Sequence, residues 1–248
     1  MLKSFYVKDD AVEVGVDEAG RGSFWGPLMA GAVIWPYEDD WTEEHREIVP
    51  LIKDSKKIKP SKRDMIYEHI CNLAVDIGLG TVMANEIDMK GIGWANKEGF
   101  IRALNCLEVN PNRILLDGIL EIEYGGSDGD GNGDENTEII TIIEGDAQYI
   151  SIAAASIVAK VEHDRWITEY CKSNPEIAKT YDLLNCKGYG TSRHRDGIYQ
   201  FGLSEHHRRK FIHNKEDRMY TTDSFNTQSV TTATTTATTT KINDECLF

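Results

Sequence analysis

Between Arg113 and Lys160 this 248-residue chain has neither lysine nor arginine. It also lacks any C-x-x-C pair: its five cysteines, Cys71, Cys106, Cys171, Cys186 and Cys246, are odd in number and scattered. That pattern excludes a cysteine-built structural zinc site and points to free thiols in a reducing compartment. No apolar run approaches the roughly 20 residues that span a bilayer. Residues 1–10, MLKSFYVKDD, hold no signal-peptide core. Together these absences predict a soluble, cytoplasmic protein with no membrane partner. Positive charge is short overall, with a formal net charge of -14 at pH 7, which argues against a generic nucleic-acid binder.

The acidity is uneven. Carboxylates crowd residues 117–146, while basic residues gather at 53–63 and 193–215. A carboxylate-rich centre flanked by basic patches suits a metal site that processes a polyanion. Apolar residues make up 40% of the chain, enough for one large domain.

The most informative stretch is 12–26, VEVGVDEAGRGSFWG. Val12, Val14 and Val16 alternate with Glu13, Gly15 and Asp17, the period of a half-buried strand. It runs into Asp17-Glu18-Ala19-Gly20-Arg21-Gly22. Neighbouring strand residues point to opposite faces, so Asp17 and Glu18 share a site only where the strand is ending. Gly20 and Gly22 permit such an ending and let a ligand approach the main chain, with Arg21 at hand for a phosphate. The plainer alternative is a strand cap with a surface salt bridge.

Residues 28–35 form a second buried strand that Pro36 ends, and 37–45 form a polar surface connection. Lys56 and Lys57 precede a helix over 62–73 for which Ser61 is a candidate cap; lysines so placed commonly line a solvated surface. A third strand is expected over 74–84 and a helix behind Glu86-Ile87-Asp88 up to Leu107. Residues 113–117, RILLD, make a short buried strand ending on Asp117, a common active-site position in α/β sheets and an equally common turn position. Residues 125–136 are mostly Gly, Asp and Asn. They resemble a calcium loop only loosely, because the closing glutamate is out of place, and their composition predicts a disordered loop. Strand 138–143 follows, so the loop is expected to join a hairpin. Asp146 precedes a small-residue helix with Ser151 as a candidate cap, where the positive end of the helix dipole favours an ionised carboxylate. Residues 187–194 form a glycine-punctuated loop presenting Tyr189. His206 and His207 lack a partner at metal-ligand spacing and read as a basic surface turn. Residues 214–248 are Thr-rich, of low complexity and expected to be disordered, with no recognisable protein-partner motif.

Several of these stretches resemble the signatures of type 2 ribonuclease H, the ribonuclease HII and ribonuclease H2 catalytic-subunit family. They are GVDEAGRG with GPLMAGAVI, DSKK, EID, LLDG, GDAQY, SIAAASIVAKV, KGYGT and the HRxxF pattern near 207–211. The resemblance covers Val12 to about His213, apart from the acidic loop. It implies an α/β fold, a ribonuclease-H-like mixed sheet flanked by helices with a small helical C-terminal part, and a catalytic domain over 1–213. By resemblance, Asp17, Glu18, Asp117 and Asp146 bind divalent metal and are catalytic. Gly20, Arg21 and Gly22 read the ribose 2′-hydroxyl, Lys56 and Lys57 contact phosphate, and Tyr189 packs on the neighbouring deoxyribose. Four mutually repelling carboxylates are costly to gather without cations, and hard oxygen donors select magnesium or manganese. Two ions about 3.5–4 Å apart suit phosphodiester hydrolysis. The implied activity is endonucleolytic cutting of RNA–DNA hybrids and of duplex DNA holding a ribonucleotide, by a monomer. Another two-metal nuclease of this fold, of resolvase or integrase type, and a catalytically silent hybrid-binding protein are the alternatives. The Gly-Arg-Gly and KGYGT pair argues against the first, and retention of all four carboxylates against the second.

Overall fold

A computed structural model describes residues 2–125 and 137–212. The acidic stretch 126–136, Cys246 and the Thr-rich residues 214–248 lie outside the described residues. The strands are β1 (Glu13–Ala19), β2 (Leu28–Ile34), β3 (Asp76–Val82), β4 (Arg113–Asp117) and β5 (Glu138–Ile142). The helices are α1 (Glu43–Ile48), α2 (Pro60–Leu73), α3 (Ala84–Lys90), α4 (Ile92–Asn105), α5 (Ile150–Ser173), α6 (Pro175–Thr180), α7 (Leu183–Cys186) and α8 (Ser192–Phe201).

The strands form one mixed sheet in the order β3-β2-β1-β4-β5. β1 pairs antiparallel with β2 and parallel with β4, and β4 pairs parallel with β5. The central strands β1, β2 and β4 are buried almost throughout, as expected of strands covered on both faces. On one face α5 and α2 pack over Val33 and Ile77. On the other, Phe100 and Leu104 of α4 pack over Val14, Val16, Ala30 and Ile114. This is the mixed sheet flanked by helices that the sequence resemblance implies.

Two strand glycines decide how closely α5 lies. A Cβ on Gly15 would meet the Ile152 backbone at 2.3 Å, and one on Gly31 would meet the Ala155 carbonyl at 2.6 Å. Ala153, Ala154 and Ala155 complete the fit from the helix side, all fully buried. The small-residue run therefore lets a helix backbone rest on the sheet backbone.

Several local expectations fail. The β4–β5 hairpin does not form, because the strands run parallel, and a parallel pair needs a crossover instead of a tight turn. The connection begins by laying Ile122 and Tyr124 into the α4-side core. Ser61 and Ser151 cap nothing. Lys59 and Tyr149 hold the N-cap positions of α2 and α5, with Pro60 opening α2, the first-turn position that suits proline. The 37–45 connection is not all surface: His45 is buried in a capping box with Thr42 and bonds the Leu73 carbonyl at 3.0 Å. Among the described residues, no helix is long and apolar enough to cross a membrane, and Cys71, Cys106, Cys171 and Cys186 are in no disulfide.

Candidate active site

Asp17 and Asp117 are brought together by register. Val16 of β1 lies opposite Leu116 of β4, so Asp17 and Asp117 follow as neighbours where β4 ends. β1 runs on through Glu18 and Ala19, paired only with β2. Beyond the end of β4, no strand among the described residues fills the space beside Glu18. Asp17 shares the α5 face with Gly15, and Glu18 turns to the α4 face, yet both sense Asp117 electrostatically. Asp146 sits in the 3-10 turn Gly145–Ala147 ahead of α5 and also faces Asp117. The Gly145 N–H donates to Asp117 Oδ1 at 2.7 Å, which ties the two carboxylate-bearing segments together.

The cost of this grouping appears in the acid strengths. Burial, then the charges of Glu18 and Asp117, hold the Asp17 carboxyl well above its ordinary range. Burial also raises Glu18, helped by Asp117 and opposed by Arg21, whose Nη1 lies 3.7 Å from Glu18 Oε1. Asp146 is raised by burial, then by Asp117 and Asp54, against the pull of Lys56. Such groups need compensating positive charge. As the side chains stand, no three His, Cys, Asp or Glu among the described residues are close enough to hold a metal ion. Instead Asp17 Oδ1 accepts the Glu18 N–H at 2.7 Å, and Asp117 accepts that of Gly145. An all-carboxylate donor set, buried and mutually repelling, fits a hard divalent cation and no soft one.

Lys56 is a second cation that reaches the group, beside Arg21. Burial works against its charge, but Asp17, Asp54 and Asp146 outweigh it and lift its pKa above the ordinary lysine value. Lys57 pairs with Asp54 at 3.1 Å and stays largely in solvent. Tyr189 is half-buried, its ring 5.3 Å from Lys160 Nζ and 6.1 Å from the His163 ring. Gly20 has φ +79°, and a Cβ there would strike the His163 ring at 2.5 Å, whereas Gly22 faces open space. Gly20 is thus required by the fold, while Gly22 leaves room at the surface.

Sequence reasoning missed the buried residues that hold these parts. Ser156 of α5 lies beside Asp17, where its hydroxyl favours the ionised carboxylate, and meets Ser55 Oγ at 2.9 Å. That contact seats the Lys56 turn against the carboxylates. Asn96 of α4, 1% exposed, lies beside Glu18 and favours its ionised form. The only sequence signal for Ser156 was one hydroxyl in a run of alanines. The expected basic surface turn at 206–208 is a correction: His207 and Arg208 are buried, and His206 packs edge-on to Trp25, Trp166 and Tyr170. Apolar partners distant in sequence, chiefly Trp25, draw this charged string inward. Asp164 is tied to its own helix, bonding Lys160 at 2.7 Å and His163 at 3.1 Å.

Comparison with known proteins places this geometry. The family model for ribonuclease HII matches residues 14–215. The chain is 39% identical over 198 residues to the ribonuclease HII of Clostridium beijerinckii, covering 80% of this chain and 66% of that protein. It is 39% identical over 200 residues to that of Syntrophus aciditrophicus, covering 81% and 84%. Among solved structures, the ribonuclease H2 of Pyrococcus horikoshii is similar at a TM-score of 0.62 and 26% identity, over 84% of this chain and 96% of that one.

Proposed function

The chain belongs to the ribonuclease HII family, and on that footing we propose that it hydrolyses the RNA strand of RNA–DNA hybrids and also cuts at single ribonucleotides embedded in duplex DNA. The observation that carries the reading is the coupling of Asp17, Glu18, Asp117 and Asp146 at the open end of β4, beside Lys56 and the Gly20-Arg21-Gly22 turn. In this reading those four carboxylates hold two divalent ions, magnesium or manganese. Bound there, the ions supply neutralising charge, an activated water and stabilisation of the leaving oxygen.

The chain's own residues do the rest. Lys56 meets the scissile region of the backbone, since it already faces Asp17 and Asp146, and Lys57 meets phosphate further out. The Gly20-Arg21-Gly22 turn reads the 2′-hydroxyl, the group that distinguishes RNA from DNA at a given site, and Arg21 adds a charged contact at the surface. Tyr189 packs on the sugar next to it. Residues 1–213 act as one catalytic unit, as a monomer. The test is a duplex carrying one ribonucleotide, incubated with magnesium or manganese and mapped for its cut position. Cutting beside the ribonucleotide, and none in the matched all-DNA duplex, is expected. Equal cutting of both duplexes, or cutting of neither, overturns the reading.

A further inference from the structure

The Gly20-Arg21-Gly22 turn is held from the far end of the chain. Arg208 Nη1 donates to the Gly20 carbonyl at 2.7 Å and the Arg21 carbonyl at 3.1 Å, and its Nε donates to the Gly26 carbonyl at 3.0 Å. Arg208 is fully buried, and burial draws its pKa down only to about 10, so it keeps its charge at neutral pH. In a planar trans peptide the carbonyl and the following N–H point in opposite directions. Two successive carbonyls drawn inward to one guanidinium therefore turn the N–H groups of Arg21 and Gly22 outward. They emerge beside Gly22, where an added Cβ would meet nothing within 4 Å. A turn that would otherwise choose among backbone conformations is set to present two donors side by side.

The residue before Arg208 holds the other substrate-facing element. Ser204 N–H donates to His207 Nδ1 at 2.8 Å, which leaves the His207 proton on Nε2. His207 Nε2 meets His194 Nε2 at 3.1 Å, so His194 carries its proton on Nδ1 and donates it to the Tyr189 carbonyl at 3.0 Å. This tautomer assignment follows from the network, and it satisfies every contact in the chain. Between the two branches, Gly188 accepts from the N–H groups of Phe24 and Trp25 at 2.8 and 3.1 Å. A Cβ at Gly188 would lie 2.3 Å from the Trp25 carbonyl.

We infer that His207 and Arg208 are a positioning pair that sets the distance and orientation between the outward N–H groups of the Gly20-Arg21-Gly22 turn and Tyr189, and so determines which sugar is accepted at the cut. Both are buried and neither touches substrate. The inference rests on the proposed reading of hybrids and embedded ribonucleotides. A lysine at 208 keeps the charge but lacks the planar fork that serves three carbonyls.

The experiment compares the parent with Arg208→Lys and His207→Gln on the single-ribonucleotide duplex and on a long hybrid, with thermal unfolding recorded alongside. Each variant should lose about tenfold or more in kcat/KM on the single ribonucleotide, the scale of one lost hydrogen bond to a charged group. It should lose several-fold less on the hybrid, where many registers compete, and its cut position should spread. The metal concentration giving half the maximal rate should not move. Equal losses on both substrates would mean support of the fold alone and overturn the inference. If either variant fails to fold, hydrogen exchange of the parent with the duplex in chelator decides. Amides of 20–26, 186–191 and 204–208 should gain protection at one duplex concentration, and protection of the first two without the third overturns the pair's role. A parent that cuts neither substrate defeats the earlier reading instead, whereas a parent that cuts both while its variants match it defeats only this one.

Discussion

Asp17→Asn should stabilise the metal-free protein while destroying its activity. Asp17 is 5% exposed, and burial, Glu18 and Asp117 hold its carboxyl well above the ordinary value. A carboxyl raised in the folded state favours folding below its unfolded pKa of about 4 and withdraws that support as pH rises through the folded value. Near neutral pH, folding without a cation therefore either confines a charge that the unfolded chain leaves in water or takes up a proton, and each costs stability. Asparagine keeps the shape, and its oxygen can still accept the Glu18 N–H now bonded at 2.7 Å. Removing an uncompensated buried charge is worth about 1–3 kcal/mol. At about 2–4 °C per kcal/mol for a fold of this size, the variant should melt about 2–12 °C above the parent in chelator. Manganese at about a thousand times its Kd should reverse the order, since it stabilises the parent by about 4.1 kcal/mol and the variant far less. Hybrid cleavage should fall more than about a hundredfold, because even an outer partner of a metal ligand costs about 10–100-fold. Scanning calorimetry in chelator and in manganese, with initial rates, measures all three. A variant no more stable than the parent in chelator would refute the argument that the surroundings of Asp17 oppose its ionised form.

Asp117→Asn should abolish cleavage to a similar degree, and Asp146→Asn should cost closer to tenfold, the lower end for a group that supports a metal ligand; near-normal turnover at saturating magnesium removes either residue from the site. Arg21→Ala and Tyr189→Ala should each lose more on a single embedded ribonucleotide than on a long hybrid, read as the ratio of kcat/KM values; equal losses would leave them general affinity only. Burial pushes the His207 imidazole down to about 3 and lowers His194 as well. Because the unfolded value is about 6.5, their contribution is complete above it and is lost as pH falls toward about 3. The melting temperature of His207→Gln should therefore fall less than that of the parent over that window, and parallel curves would refute this. Replacing 126–136 with a shorter Gly-Ser linker, or ending the chain after Asn214, should keep cleavage within a few-fold, since halving a loop changes its closure entropy by only about 0.6 kcal/mol; loss of rate with an intact melting transition would show substrate contact.

The strands were legible wherever burial and periodicity agreed. β1, β2 and β4 lie within a residue or two of their expected places, and RILLD ends on Asp117 as read. Partner choice was not legible. Strand 138–142 carries the same apolar pattern whether it pairs parallel or antiparallel, and only the register against β4 decides. A two-residue turn there spans about 7 Å at most, far short of the return along a five-residue strand at about 3.3 Å per residue. The carboxylates were found because each stands at a strand end or before a helix. The groups that hold them were not, since Ser156, Asn96 and Arg208 act through contacts with residues far away in sequence. HHRRKF shows the limit most clearly. Its composition is that of a solvated surface, and Trp25, some 180 residues earlier, is what draws His206–Arg208 inward.

The contact between Arg208 and Gly20 joins residues 188 positions apart, and this bears on how the protein is made. A ribosome adding about 5–20 residues per second delivers Asp17, Glu18, Asp117 and Asp146 several seconds before Arg208. For that interval the nascent chain has every carboxylate of the site and a first turn closed only by its local Ser23 N–H bond to the Gly20 carbonyl, without the guanidinium that draws its carbonyls inward. Contacts of such separation also form late in folding, because loop closure must come before any gain from them. On the proposed reading, the ability to tell one sugar from another is thus the last property the growing chain acquires, after the four carboxylates have been made.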